Sequence, residues 1–423
     1  MKQALPRLGG VFQPSLCPQL PPAMKIELAT IFAGDTSRCE PRVNLAERFT
    51  PEFFARERDK IFRRAWLVAA SLTDVPDKGS YYVTDIPPLK ASLLVVRGED
   101  DQVRVFHNVC RHRGDKLVQT PKGCTKAFTC AFHAWTYSNS GKLLNITDAS
   151  QFPGVNKDDY GLVPVHSEIW EDLIFVCLDK QPRETLRQFL GEEIYSGYSG
   201  FAKGRVKMAE HRLVLKTNWN LGTNAFCEGY HNLYIHKNTV PDYQGGPGNP
   251  NRHRPYLEVG RHFGRYSTHG NQTHKMTPTE AAVFKHSKPL FPWFPPIDMA
   301  NYPPGINPAR FPEWGFDIVH LFPNCVFAPQ ANTHSYMTFW PIDHETTEIR
   351  NWRFAYGTDN PADVIAQSYS VTRAREVIRE DMNTMETTLR GITQGAIPHV
   401  VLSQQELLIQ NHYRAANDML AQD

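Results

Sequence analysis

Two short cysteine–histidine pairs constrain this chain more than any other feature. Cys110-x-His112 stands in NVCRHRG and Cys130-x-x-His133 in CAFHAWTY, with 17 residues between the pairs. Each lies at a turn beside a run of β-type residues. One cysteine near one histidine is usually accidental, but two pairs at tight, matched spacing supply two thiolates and two imidazoles as metal donors. Such a set can close tetrahedrally around one zinc ion. It can equally hold a two-iron, two-sulfide cluster, with the cysteines on one iron and the histidines on the other. Neutral imidazole in place of thiolate lowers the negative charge and lifts the reduction potential to roughly −150 to +300 mV. A carrier in that range accepts electrons from a ferredoxin and passes them to an oxygen-reacting site.

The 423 residues exceed what one simple core organises, so two domains or one elaborated domain are expected. Lys and Arg total 46 against 44 Asp and Glu, a balance that argues against nucleic-acid or membrane-surface binding. No apolar run reaches the roughly 18–20 residues of a membrane span. The opening residues are broken by prolines and charges and lack the apolar core of a secretory signal, so the cytoplasm is the default location. The segment before Met24 reads as an unstructured extension. Eight cysteines over this length are too sparse for a disulfide scaffold, and a cytosolic chain keeps them reduced. Cys124, Cys177, Cys227 and Cys325 read as packing residues, and His107 as a strand-end histidine.

Along the chain, residues 1–45 read as an irregular arm and 46–65 as a helix. RFTPEFFARERDKIFRRAW places Thr50 at its N-cap and Pro51 at its first position. From 66 to 178 short β-type runs such as GSYYVTDI, ASLLVVRG and VRVFHNV alternate with turns, GEDDQ and SNSGK forming hairpins. This is a small all-β domain. Residues 179–423 mix helical and strand patterns, giving an α+β class overall. NWNLGTNAFCEGYHNLYIHK (218–237) reads as a helix, and 238–316 as long loops. Within those loops LFPWFPPIDMANYPPG (290–305) reads as a pocket wall, a surface loop or a subunit contact. IVHLFPNCVFAP, SYMTFWPID and EIRNWRFAYG read as three strands of an antiparallel sheet. Asn360-Pro361 opens a long helix that runs to about Gly391.

A second constellation lies in the α+β part. Asn224, Glu228 and His231 fall at i, i+4 and i+7, on one helical face. His236 is off that face and converges only if the helix distorts or ends. Two histidines and one carboxylate form the facial triad that leaves iron positions open. On the late helix the stripe Ala374, Val377, Ile378, Asp381 and Met385 faces inward, and Asp381 is its only charge. Burying a carboxylate is costly unless it is paired or metal-bound, so Asp381 is the candidate third ligand. A buried salt bridge is the alternative.

With both constellations in one chain, residues 45–395 resemble the α subunit of Rieske non-haem iron ring-hydroxylating oxygenases. The family pattern N-W-K then D-x-x-H-x-x-x-x-H appears here as Asn218-Trp219-Asn220 and Glu228-x-x-His231-x-x-x-x-His236. The resemblance implies a [2Fe-2S] cluster on Cys110, His112, Cys130 and His133, and a mononuclear Fe(II) on His231, His236 and Asp381. It implies a catalytic domain whose antiparallel sheet is helix-grip-like. Asn224 is a candidate neighbour of that iron. The family usually has Asp where this chain has Glu228. By analogy Glu228 bridges His133 of one subunit to His231 of the next, fixing imidazole orientation. Glutamate there resembles the carnitine and glycine-betaine monooxygenases, which are homotrimers, and favours monooxygenation or demethylation over arene cis-dihydroxylation.

The resemblance also implies electrons from NAD(P)H through a separate reductase or ferredoxin, O2 as co-substrate, and a small aromatic or amine substrate. A homotrimer is expected, with a β subunit as a further possible partner. No G-x-G-x-x-G motif follows a strand, which places the reductase in another chain. A Rieske-type electron carrier and a zinc-stabilised binding protein are the rival readings. The second histidine set weighs against the carrier. In the zinc reading the His231 and His236 pair is incidental, so a brown rather than a colourless protein decides.

Overall fold

The computed structural model describes residues 31–45, 47–240, 242, 255–271, 274–287 and 299–422. The first helix, Pro51–Glu57, starts where Thr50 accepts a hydrogen bond from the Phe53 amide, and a wider turn, Arg58–Phe62, prolongs it. It buries Phe53, Ile61 and Phe62, and the Phe62 ring meets Trp219 edge-on at 4.9 Å.

Three small antiparallel sheets follow. One is ordered Val103–His107, Ala91–Arg97, Ser80–Ile86, Lys122–Cys124; another Leu143–Asn145, Thr136–Ser138, Ala127–Thr129; the third His166–Trp170, Leu173–Cys177, Leu67–Ser71. Leu67–Ser71 and Leu173–Cys177 are buried at every position, which is why their sequences read as continuous apolar runs. Both hairpins close as expected: Gly98 donates to Gln102 and Ser138 to Lys142, each at 2.9 Å. Val83, Leu94, Phe106, Trp135 and Tyr137 form a core that also contains Cys110 and Cys130.

The second unit is an eight-stranded sheet. Its order is Ile31–Gly34, Tyr256–Val259, Phe263–His269, Trp314–Leu321, Cys325–Pro329, Thr333–Pro341, Thr347–Tyr356, Arg205–Leu215. The first pair is parallel and the others antiparallel. The long helix, Pro361–Ile392, is capped by the Asn360 side chain on the Ala362 amide, as its sequence dictates. Its buried Met382 and Met385 share a core with Phe339, Ile349 and the terminal helix Leu407–Ala421. The two units lock together through polar side chains. Asn324 bonds both the amide and the carbonyl of Val68, and the buried Arg350 donates to Thr84 and to the Asp85 carbonyl. Among the described residues no helix is long and apolar enough to cross a membrane.

Four local expectations are corrected. The arm is not irregular from residue 31 onward: Ile31–Gly34 is an edge strand, and Arg42–Asn44 pairs with His399–Val401. The 238–316 region, expected as loops, contains the strands Tyr256–Val259 and Phe263–His269 and the helix Pro278–Val283. IVHLFPNCVFAP is two strands, because Pro323 and Asn324 form a turn and Asn324 spends its amide on Val68. Cys124 is exposed on a sheet edge rather than packed, while Cys177, Cys227 and Cys325 are buried. Residues 1–30 and most of 290–305 lie outside the described residues.

Candidate metal centres

The two cysteine–histidine loops are built alike. In each, the cysteine amide donates to the carbonyl five residues on, Asp115 or Trp135, at 2.8 and 2.9 Å. Its carbonyl in turn accepts from the residue four on, Gly114 or Ala134, at 3.0 and 2.9 Å. That fourth residue has a left-handed backbone, φ +82° at Gly114 and +55° at Ala134. Glycine adopts it freely, whereas alanine there costs about 1 kcal/mol, held by the surrounding loop.

These loops bring like donors together. The Cys110 and Cys130 thiols are buried and close enough to interact, and the burial pushes the Cys130 thiol up. The His112 and His133 rings meet at 4.6 Å, and His112 stacks on Trp135 at 4.9 Å. Nδ1 of His112 is buried without a hydrogen bond, the condition of a nitrogen kept for a metal. The Tyr137 hydroxyl lies 3.4 Å from the Cys110 sulfur and accepts from the Arg111 amide. Thiols on one side and imidazoles on the other match two metals better than one. Consistently, His231, His236 and Asp381 are the one group among the described residues that gathers three such donors within 4.8 Å. Phe132, at the tip of the second loop, is 55% exposed.

The second centre forms where the expected helix fails. Residues 218–237 fold as Trp219–Asn224 and Asn232–Ile235 with a turn between them. The Glu228 carboxylate accepts from the amides of Tyr230 and His231, a side-chain alternative to helical bonding. Gly229 supplies no competing side chain. The break turns His231 and His236 toward one point, their rings 5.2 Å apart. From the long helix, Oδ1 of Asp381 comes within 3.2 Å of Nε2 on both histidines. That oxygen is buried and off the hydrogen-bond direction to either ring, so the three donor atoms converge on a shared space. The site favours positive charge. Burial lowers the His231 imidazole, but Asp381 and Glu228 outweigh it and raise it to about 10. Burial raises the Asp381 carboxyl, and the two histidines more than reverse this. The donor set and its charge fit a divalent iron.

Each imidazole is backed by a carboxylate on its outer nitrogen. Nδ1 of His231 bonds Glu228, and Nδ1 of His236 lies 2.9 Å from Glu380. Sequence reasoning placed Glu228 correctly beside His231 and missed Glu380, which lies off the apolar stripe of its helix and reads there as a solvated charge. Asn224 turns its amide to the Tyr413 hydroxyl at 2.8 Å and lines a separate cavity behind Glu228 and His231. His107 ends a strand half-buried, and burial pushes its imidazole down.

A cavity of about 150 Å³ opens in front of the three donors. Phe226, Phe316, Ile318, Met337, Val377 and Ile378 make it mainly apolar, and Arg353 also lines it. The inward stripe read from the sequence thus largely faces a cavity, with Met385 buried in the neighbouring core and Ile378 packed against it.

A cluster-binding β-domain joined to a two-histidine, one-carboxylate α+β domain is the make-up of a Rieske-type oxygenase α subunit. Residues 65–162 match the Rieske [2Fe-2S] domain and residues 204–422 the ring hydroxylating alpha subunit (catalytic domain). The chain belongs to the ring-hydroxylating α-subunit family.

Among its relatives, the glycine betaine monooxygenase oxygenase subunit of Chromohalobacter salexigens is 34% identical over 201 residues, 47% of this chain and 42% of that protein. Biphenyl 2,3-dioxygenase subunit alpha of Rhodococcus jostii is 29% identical over 230 residues, 52% of this chain and 47% of that protein. The chain thus spans about half the length of the curated relatives it matches. In fold it is similar to the quaternary ammonium Rieske monooxygenase CntA, with TM-score 0.71, 18% identity and coverage of 93% of this chain and 100% of that one. Naphthalene 1,2-dioxygenase from Rhodococcus sp. gives TM-score 0.70 at 21% identity, covering 88% and 93%.

Proposed function

We propose that this chain is the terminal oxygenase component of a multicomponent Rieske oxygenase that hydroxylates or oxidatively demethylates a small organic substrate. The observation that carries this reading is the pairing, in one chain, of a thiol–imidazole loop pair with a His231–His236–Asp381 set facing an apolar cavity. Cys110, Cys130, His112 and His133 would hold the [2Fe-2S] cluster; His231, His236 and Asp381 would hold Fe(II). When bound, the two groups supply stored electrons and an O2-activating centre.

The chain's own residues then have distinct work. Phe226, Phe316, Met337 and Val377 exclude water and seat an apolar body beside the three donors. The cavity is smaller than the roughly 300–1,000 Å³ usual for drug-sized ligands, which suits a small substrate. Glu228 holds the His231 ring and, by analogy with the family, would bridge it to His133 of a neighbouring copy. That contact calls for a head-to-tail ring, by analogy with the family a homotrimer, with or without a β subunit. Electrons would come from NAD(P)H through a reductase or ferredoxin in another chain. Amine demethylation is supported by Glu228 and by the glycine-betaine relative; arene dioxygenation is supported by the apolar walls and the biphenyl relative.

The test is anaerobic purification followed by iron and acid-labile sulfide analysis, then O2 uptake on a substrate panel. About three irons to two sulfides per chain, a Rieske absorption spectrum and substrate-dependent O2 uptake are expected. Formaldehyde release marks demethylation, and a cis-diol marks arene dioxygenation. A single non-iron ion per chain with no labile sulfide overturns the reading.

A further inference from the structure

His236 is held from behind. Oε2 of Glu380 sits 2.9 Å from its Nδ1, and Oε1 of the same carboxylate accepts from the Thr239 hydroxyl. A neutral imidazole carries one ring proton, and a carboxylate at Nδ1 draws that proton to itself. The Nε2 lone pair is then left toward Asp381, 3.2 Å away. We propose that Glu380, braced by Thr239, is a positioning residue for the mononuclear metal site, fixing the tautomer and ring direction of His236. The proposal rests on reading His231, His236 and Asp381 as the metal set.

The brace continues outward. The Thr239 carbonyl accepts from Arg373 at 2.7 Å, and Arg373 pairs with Glu280 at 2.8 Å. Glu280 is fully buried at the start of the helix Pro278–Val283, where it also caps Thr277 and faces His274 at 3.2 Å. His274 bonds Asp242 on its other nitrogen. Three segments, the turn after His236, the long helix and the helix at 278, are therefore joined through Glu380 and Arg373. Val240, four residues past His236, lines the substrate cavity, so the same brace holds part of the cavity wall. Glu228 gives His231 a comparable backing.

Co(II) titration of metal-depleted protein, followed by the d–d absorption of cobalt, reads the site without turnover. Wild-type protein should bind Co(II) in a manner abolished by His236→Ala. Glu380→Ala should weaken binding about 10–100-fold. Glu380→Gln, whose amide oxygen still accepts from Nδ1, should lose less than about 10-fold and restore the spectrum toward wild type. Thr239→Val should fall between Glu380→Gln and wild type, and these two near-isosteric variants serve if Glu380→Ala does not fold. Glu376→Ala, a partly exposed position on the same helix whose partners are Arg375 and Arg379, is the unchanged control. Wild-type affinity and spectrum in Glu380→Gln, Thr239→Val and Glu380→Ala alike overturn the positioning role alone. Failure of wild-type protein to bind Co(II) through His236 overturns the metal reading and the proposal with it.

Discussion

Asp381 on the long helix and His231 in the turn after Trp219–Asn224 meet with Oδ1 and Nε2 3.2 Å apart, both largely buried. A buried carboxylate without full hydrogen bonding is costly, and a metal ion is what would offset it here. Asp381→Ala should therefore lose the mononuclear metal and cut turnover by more than about 100-fold, since even supporting residues of metal sites are worth 10–100-fold. The cluster loops belong to a different core, so the Rieske absorption should survive. Iron-to-sulfide ratio and the visible spectrum check both halves. Full activity in Asp381→Ala would reject the ligand assignment.

The converse holds for the thiols. Cys110 and Cys130 sit together in the β-domain core, each 2% exposed. Cys130→Ser replaces a soft donor with a hard one and should abolish the cluster spectrum and labile sulfide. Co(II) affinity at the second site should stay within about 2-fold, as expected for sites that share no partners. Retained labile sulfide in Cys130→Ser would remove Cys130 from the cluster.

Much of this was legible in the chain because donors at fixed spacing imply chemistry whatever the surrounding fold. The hairpins, the Thr50 and Asn360 caps and the inward phase of Asp381 follow from local rules and appear as read. The helix 218–237 failed because Glu228 satisfies two backbone amides that a helix would otherwise use, and a propensity argument has no term for that bond. The failure is also what aligns His231 with His236. The strands Tyr256–Val259 and Phe263–His269 were missed because the first, YLEV, is only four residues long and the second, FGRYSTH, mixes Gly, Arg, Ser and His. They are buried anyway, with Arg265 paired to Glu258 on the neighbouring strand. Glu380 was invisible for a related reason: its partners, His236 and Thr239, come from a distant segment.

Glu228 offers the clearest test of electron delivery. It bonds the ring and the amide of His231 at once, so Glu228→Ala would disturb the turn as well as the ring. Glu228→Gln keeps the size and one acceptor oxygen. It should retain iron and sulfide while slowing substrate-dependent reoxidation of the reduced cluster about 10–100-fold. Stopped-flow absorption of pre-reduced protein mixed with O2 and substrate measures that rate. Reoxidation at the wild-type rate would exclude Glu228 as the bridge.

Stability should carry a pH signature from Glu57, which lies beneath the segment leading into the metal site. Its two oxygens accept from Trp219 and Asn220 at 2.9 and 3.1 Å, and Asn220 in turn bonds His412 of the terminal helix. Burial lifts the Glu57 carboxyl from its ordinary 4.5 to about 7, the bonds from Trp219 and Asn220 only partly opposing it. A raised carboxyl means that the folded protein holds this proton more tightly than the unfolded chain does. The contribution is fully present below pH 4.5 and is lost as pH rises through about 7. A shift of this size corresponds to about 3 kcal/mol. Glu57→Gln imitates the neutral acid and cannot ionise, though its NH2 faces one of the two donors and costs about 1–3 kcal/mol at every pH. Relative to wild type, the variant should therefore be less stable near pH 5 and gain steadily toward pH 8. Urea denaturation at half-unit pH steps reads the difference, and parallel curves for the two proteins across that range would show that Glu57 does not titrate in the folded chain.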